Sequence, residues 1–299
     1  MGELLLNYLG VFGQDGLEYI LKDKRKNAKD DLFEKRLKGS GANVARLASH
    51  LGVKTAFAGF LGINAPKEFE RTLKKAGVDI KDLKKVKGYL SPTCRIIFDI
   101  DGKQVTTIDE EYIKGPGELG LGEHTINSCE VVHITRGIPK YYKQVVENAR
   151  NLGRKVAFDP SDEIFYGYDE EMFEYIIKRT NYFFATIKEC EHALDLLCMN
   201  EPDDLLIFAD AVIIFDDNER IVYSKKDKII LPIEDKHDLK YAADTFRAGF
   251  YAGLSRGLSI KDSVEIGNYL ANYKNEEDSI PSWEEVAKAL GYLNKKADS

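Results

Sequence analysis

No apolar run in the 299 residues approaches the roughly 18 needed to cross a membrane. Cysteine is scarce: Cys94, Cys129, Cys190 and Cys198 have no C-x-x-C spacing. The five histidines are scattered. That pattern excludes a disulfide framework and a Cys/His zinc site, and reads as reduced thiols in a cytoplasmic chain. An excess of basic residues is also missing. With 43 Lys+Arg against 50 Asp+Glu, the net charge of −7 opposes broad attachment to nucleic acid or acidic lipid. It leaves room for a small anion held by a local backbone site. The opening MGELLLNYLG has no basic region, no long apolar stretch and no small-residue cleavage site, so no secretory signal is expected. Neither an internal repeat nor a Pro/Gly/Ser-rich linker divides the sequence, and a single α/β domain over 1–299 is expected. The mixed-sign run 22–31 reads as a solvated loop.

Short apolar runs alternate with helical spacing through most of the chain. Val131–Ile134, Lys155–Phe158, Asn181–Phe184 and Ala211–Phe215 read as buried strands. Val44, Leu47, Ala48 and Leu51 share a helix face with Gly52 placed to end it, and Met172, Phe173, Ile176 and Ile177 form another helical register. Such alternation implies a mostly parallel sheet covered on both faces, with ligands beyond the carboxyl ends of the strands. Thr135, Asp159 and Thr186, each just after an apolar run, would share that rim. Residues 95–108 break the pattern, because two strands joined around Asp101-Gly102 predict a hairpin. Ser282 and Glu285 predict a capping box that opens a C-terminal helix.

Two segments could carry chemistry. Gly39-Ser40-Gly41-Ala42-Asn43 leads into the first helix, where small residues let a ligand approach the backbone and Asn43 can donate and accept hydrogen bonds. A plain turn and helix start explains the same residues. Later, Asp244 sits in a segment that opens another helix, with Ala248, Gly249, Ala252 and Gly253 giving it a small-residue face. An acid there is ordinary complement to the helix dipole. The sharper reading is a phosphoryl-transfer site, with free N–H groups holding an anion beside a carboxylate that takes a hydroxyl proton.

Taken together with Gly10-Val11-Phe12-Gly13-Gln14-Asp15 and with Asp244-Thr245-Phe246-Arg247-Ala248-Gly249-Phe250, these segments resemble the ribokinase-like, or PfkB, carbohydrate kinase family. The resemblance covers nearly the whole chain. It implies a three-layer α/β fold with a mostly parallel central sheet and a small β-lid, its segments near 11–36 and 91–112. It implies that Asp15 and Asn43 bind substrate hydroxyls, that Gly39 and Gly41 line the pocket, that Asp244 is the catalytic base and that Ala242 and Ala243 form the anion hole. ATP would be the donor, with Mg2+ tied to Glu189 through water, a monovalent cation as a further cofactor, and Thr186, Phe215 and Asp216 at the nucleotide. The partner would be a small polyhydroxylated acceptor (sugar, polyol or nucleoside), and a homodimer could form through the lid.

The sequence departs from the family on the phosphate side. The family's Asp-Thr-x-Gly-Ala-Gly-Asp is here Asp238-Leu239-Lys240-Tyr241-Ala242-Ala243-Asp244, with both glycines gone. The usual Asn-x-x-Glu is Thr186-Ile187-Lys188-Glu189, and the nucleotide loop aligns with Phe215-Asp216-Asp217-Asn218, without glycine. Two functions remain: an ATP-dependent kinase acting on a hydroxyl, or a non-catalytic ligand-binding descendant that has lost normal nucleotide handling. Arg136 reads as a surface ion pair, with phosphate as its alternative partner, and Asp159-Pro160 as a turn.

Overall fold

The computed structural model describes residues 6–13, 16–22, 33–91, 93–98, 104–109, 120–233, 239–273 and 280–292. Asp15, Asp238, most of the polar run 22–31 and the Asp101-Gly102 turn lie outside the described residues. The chain begins with β1 (Tyr8–Phe12), β2 (Gly16–Lys22), β3 (Phe33–Lys38), α1 (Ser40–His50), β4 (Lys54–Leu61), α2 (Lys67–Lys75) and β5 (Leu83–Lys85). It continues with β6 (Thr93–Phe98), β7 (Gln104–Asp109), α3 (Glu123–Ser128), β8 (Val131–Ile134), α4 (Pro139–Asn151), β9 (Lys155–Phe158) and α5 (Glu170–Ile177). The remaining elements are β10 (Tyr182–Thr186), α6 (Ile187–Leu197), β11 (Ala211–Phe215), β12 (Glu219–Ser224), β13 (Lys228–Pro232), α7 (Leu239–Leu254), α8 (Ile260–Ala271) and α9 (Trp283–Ala289).

Nine strands form one sheet in the order β13-β12-β11-β10-β9-β8-β1-β4-β5. From β11 to β5 every pairing is parallel, while β12 and β13 add an antiparallel edge. The parallel strands are apolar on both faces because helices cover both. Val131, Val132 and Ile134 of β8 are fully buried, as are Val156, Ala157 and Phe158 of β9. One core packs α1, α2, α7, α8 and α9 on one face, and a second packs α3 to α6 on the other. The expected three-layer α/β architecture is present.

Local signals explain the elements that place the site. Val44, Leu47, Ala48 and Leu51 are buried, and Gly52, at φ 85°, supplies the left-handed residue that ends α1. The small face of α7 lets α8 approach: a Cβ on Gly249 would stand 2.9 Å from the Gly267 Cα. The Ser282–Glu285 capping box opens α9, with Ser282 N donating to Glu285 Oε2 at 2.8 Å. The predicted hairpin is β6 and β7, antiparallel with Phe98 opposite Gln104. With β2 and β3 it builds a separate four-stranded sheet, β3-β2-β6-β7. Since β1 pairs in the main sheet through Phe12, this second sheet starts after the sequence-predicted boundary at 11.

Candidate active site

After β1 the chain builds toward one sheet edge through β4 and β5, then returns to add β8 to β11 on the other side. The switch point therefore lies between β1 and β8, and ligands of open α/β sheets bind outside the carboxyl ends of such strands. Thr135 and Asp159 both sit at that rim, as their sequence positions require. Thr135 N donates to Phe12 O at 2.9 Å and Asp159 N to Ile134 O at 3.0 Å.

Helix α1 starts at the rim, with Gly39 in extended conformation before it. A Cβ on Gly41 would stand 3.1 Å from both Phe57 Cε2 and Thr135 Oγ1, so a small residue here lets α1 sit close to the strand ends. Ser40 and Asn43, one turn apart, share a helix face. That face meets α7. Ser40 Oγ donates to Asp244 Oδ1 at 2.5 Å, and Asn43 Nδ2 donates to Asp244 Oδ2 at 3.0 Å. Asp244 is buried, and it draws together two segments that are remote in sequence.

A third contact holds the same carboxylate. Arg247, one turn further along α7, places Nη1 3.5 Å from Asp244 Oδ1 and Nη2 2.8 Å from Asp159 Oδ2. Its guanidinium lies 4.9 Å from the Phe215 ring centroid and 5.5 Å from that of Phe184. Burial pushes the Asp159 carboxyl up to about 6, with Arg247 opposing the rise and Asp244 adding to it. Burial likewise raises Glu189, and Asp159 adds to that rise. Nearby His133 is pushed well below its ordinary value by burial and by Arg247, so it stays neutral.

The phosphate side differs from its sequence expectation. The helix carrying Asp244 already includes Leu239 to Ala243, so it does not begin beside Ala242 and Ala243. Leu, Lys, Tyr and Ala are better helix formers than glycine, so the helix extends backwards across the altered motif. The free N–H groups of a helix belong to its first turn. From Ala243 onward the N–H groups face carbonyls within α7, so any free donors of its first turn lie upstream of Ala243.

Thr186 and Glu189 form a capping box at the start of α6: Thr186 Oγ1 accepts from Glu189 N at 3.3 Å, and Glu189 Oε2 accepts from Thr186 N at 2.7 Å. The Thr-x-x-Glu spacing announces this. Phe215 ends β11, and Asp216 turns the chain directly into β12, with Asp216 N donating to Glu219 O at 3.0 Å. Arg136 forms an ion pair with Glu163 (Nε to Oε1, 3.3 Å), a carboxylate that also accepts from Gly137 N at 2.6 Å. Sequence reasoning missed Ser40 and Arg247. Both stand one turn from a residue already singled out, which is the signal that could have found them. The pairing of Asp159 with Arg247 has no local signal.

Known proteins resemble the chain over most of its length. The model of the pfkB family carbohydrate kinases matches residues 8–277. A nucleoside kinase of Methanocaldococcus jannaschii is 29% identical over 263 residues, covering 84% of each chain. One from Methanothermobacter thermautotrophicus is 25% identical over 84% of this chain and 83% of that one. The crystal structure of a Methanocaldococcus jannaschii nucleoside kinase, described as an archaeal member of the ribokinase family, superposes with a TM-score of 0.78 at 26% identity, covering 98% of this chain and 100% of that one. With a nine-stranded sheet of matching fold and a family match spanning nearly its full length, the chain belongs to the pfkB family of carbohydrate kinases.

Proposed function

We propose that the chain transfers the terminal phosphoryl group of ATP to a hydroxyl of a nucleoside, with Asp244 as general base. The observation that carries this reading is the buried Asp244 carboxylate, held at the switch-point rim by Ser40 and Asn43. Two donors on a carboxylate fix its orientation, and a fixed acceptor near an incoming hydroxyl is what proton removal during phosphoryl transfer requires. The nucleoside acceptor rests on relatives named nucleoside kinases, and ATP on the family. The four-stranded sheet is read as the lid over the acceptor and as the surface through which two copies would pair.

In the transfer, Asp244 accepts the hydroxyl proton while Ser40 and Asn43 keep its oxygens in place. The free N–H groups at the start of α7 oppose charge developing on the phosphoryl oxygens. No three Asp, Glu, His or Cys side chains cluster as a cation cage among the described residues. Mg2+ keeps its waters and is held by few carboxylates together with nucleotide phosphates. Glu189 would hold the ion through water, and the ion would neutralise the donor phosphates.

ADP release measured over a panel of nucleosides and sugars tests the proposal, with Asp244→Asn as control. Turnover is expected with a nucleoside and is expected to vanish in the variant; undiminished turnover there would remove Asp244 as base. The early start of α7 favours a second reading, a ligand-binding descendant without nucleotide handling. Calorimetry with magnesium-ATP separates the two, since that descendant would bind no nucleotide at millimolar concentration.

A further inference from the structure

We propose that Arg247 is a positioning residue for the transfer, dividing one buried positive charge between Asp159 and Asp244 so that Asp159 sets how strongly Asp244 holds a proton. The inference rests on reading Asp244 as the base. Three observations support it. Arg247 is buried, and its two terminal nitrogens face different carboxylates, at 2.8 Å and 3.5 Å. Phe184 and Phe215 hold the guanidinium, and its Nε has no hydrogen-bond partner among the described residues. The head group is thus located by the aromatic rings and the two acids. Finally, the acids outnumber the cation. Glu189, also buried, interacts with both Asp159 and Arg247.

Stability does not account for this cluster. A buried ion pair rarely outdoes well-packed apolar side chains, and a second carboxylate on the same cation adds desolvation without adding charge balance. Tuning does account for it. If Asp159 loses its charge, the whole pull of Arg247 falls on Asp244, which becomes a weaker base. If Arg247 loses its charge, Asp244 is left against Asp159 with no cation between them and becomes a stronger base. The other titratable groups facing Arg247 keep their state: His133 stays neutral, and burial raises Tyr251 and, beside Asp159, Tyr168 well above the ordinary tyrosine range.

The test is the dependence of kcat on pH, followed by ADP release with a nucleoside acceptor, for Arg247→Met, Arg247→Lys and Asp159→Asn. An opposite charge at such distances displaces a titration by about one pH unit or more. The acidic limb is therefore expected to move up by about one unit in Arg247→Met and down in Asp159→Asn, with the acceptor KM little changed. Arg247→Lys should move the limb less than Arg247→Met, because a point charge keeps the sign but not the two-carboxylate fork. Should Arg247→Met fail to fold, the other two variants carry the same comparison. Structural damage would not displace the limb in opposite directions. Limbs that stay in place while Asp244→Asn is inactive overturn the inference alone, whereas turnover surviving in Asp244→Asn overturns the base and the inference together. If no acceptor turns over, carboxyl-carbon NMR titration of labelled aspartates, assigned through Asp244→Asn, reads the same opposite shifts, and an unmoved Asp244 signal overturns the inference.

Discussion

Ala243→Gly is expected to weaken the fold slightly and to tighten magnesium-ATP binding. The backbone of α7 gives the reason: Leu239 to Asp244 are already helical, so the N–H groups of Ala243 and Asp244 face carbonyls within the helix. For these groups to meet a phosphate, the first turn must unwind. Alanine is the strongest helix former and glycine costs about 1 kcal/mol more per helical position, so the substitution lowers the cost of unwinding by about that amount. A change of about 1 kcal/mol is a factor of about five in an equilibrium. Where the competent backbone is the minor state, apparent affinity rises in proportion to its population, here about fivefold. The same change should lower the melting temperature by about 1–2 °C. Calorimetric titration with magnesium-ATP and a thermal scan of the same preparation measure both. A lowered melting temperature with unchanged or weakened nucleotide binding would refute the argument, because the phosphate would then be held without unwinding α7.

Other parts of the site make separate predictions. Thr186→Ala removes a helix cap and should cost about 1 kcal/mol of stability while leaving the ATP KM as it was; a large rise in KM would instead give Thr186 a direct nucleotide contact. Gly267→Ala would set a Cβ 2.7 Å from the Phe246 carbonyl oxygen, in the turn of α7 between Asp244 and Arg247. Overpacking of this kind costs about 1–3 kcal/mol, and kcat is expected to fall along with the melting temperature. Asp159 titrates near about 6 in the fold against 3.8 for the ordinary side chain, so the native state binds more protons across that interval. Its contribution to stability is therefore lost as pH rises through the window from 3.8 to about 6, and denaturant midpoints for Asp159→Asn should lack that downward component.

The sequence disclosed most where one residue's chemistry decides the outcome locally. Short, mostly apolar runs at β8, β9 and β11 read as strands covered on both sides, and Asp101-Gly102 between alternating residues marked the β6–β7 hairpin. Ser282 and Gly52 announced helix ends by the hydrogen bond and the backbone angle each supplies. The candidate site was legible in two of its parts, Asn43 and Asp244, but not in their connections. Ser40 and Arg247 join it only because α1 and α7 place them around one carboxylate, and Asp159 only because β9 ends opposite them. Local patterning carries no record of which helix face meets which strand end. A turn beginning at Asp159-Pro160 was a sufficient local account of a residue whose main partner lies on α7.

The start of α7 shows the same limit from the other side. Between Asp238 and Asp244 the sequence lacks both glycines of the family motif. The consequence concerns the backbone. Five consecutive helix formers, Leu239 to Ala243, carry the helix across the motif and keep its free N–H groups away from Asp244, while Ser40, Asn43 and Arg247 hold the carboxylate where it is. On the proposed reading, the base and the anion-binding donors, adjacent in the family motif, are thereby separated along one helix. A phosphoryl group must meet both, so either the first turn opens when nucleotide binds or the donors act from upstream. The response of ATP affinity to Ala243→Gly distinguishes these, since only the first alternative makes helix propensity at position 243 part of the binding energy.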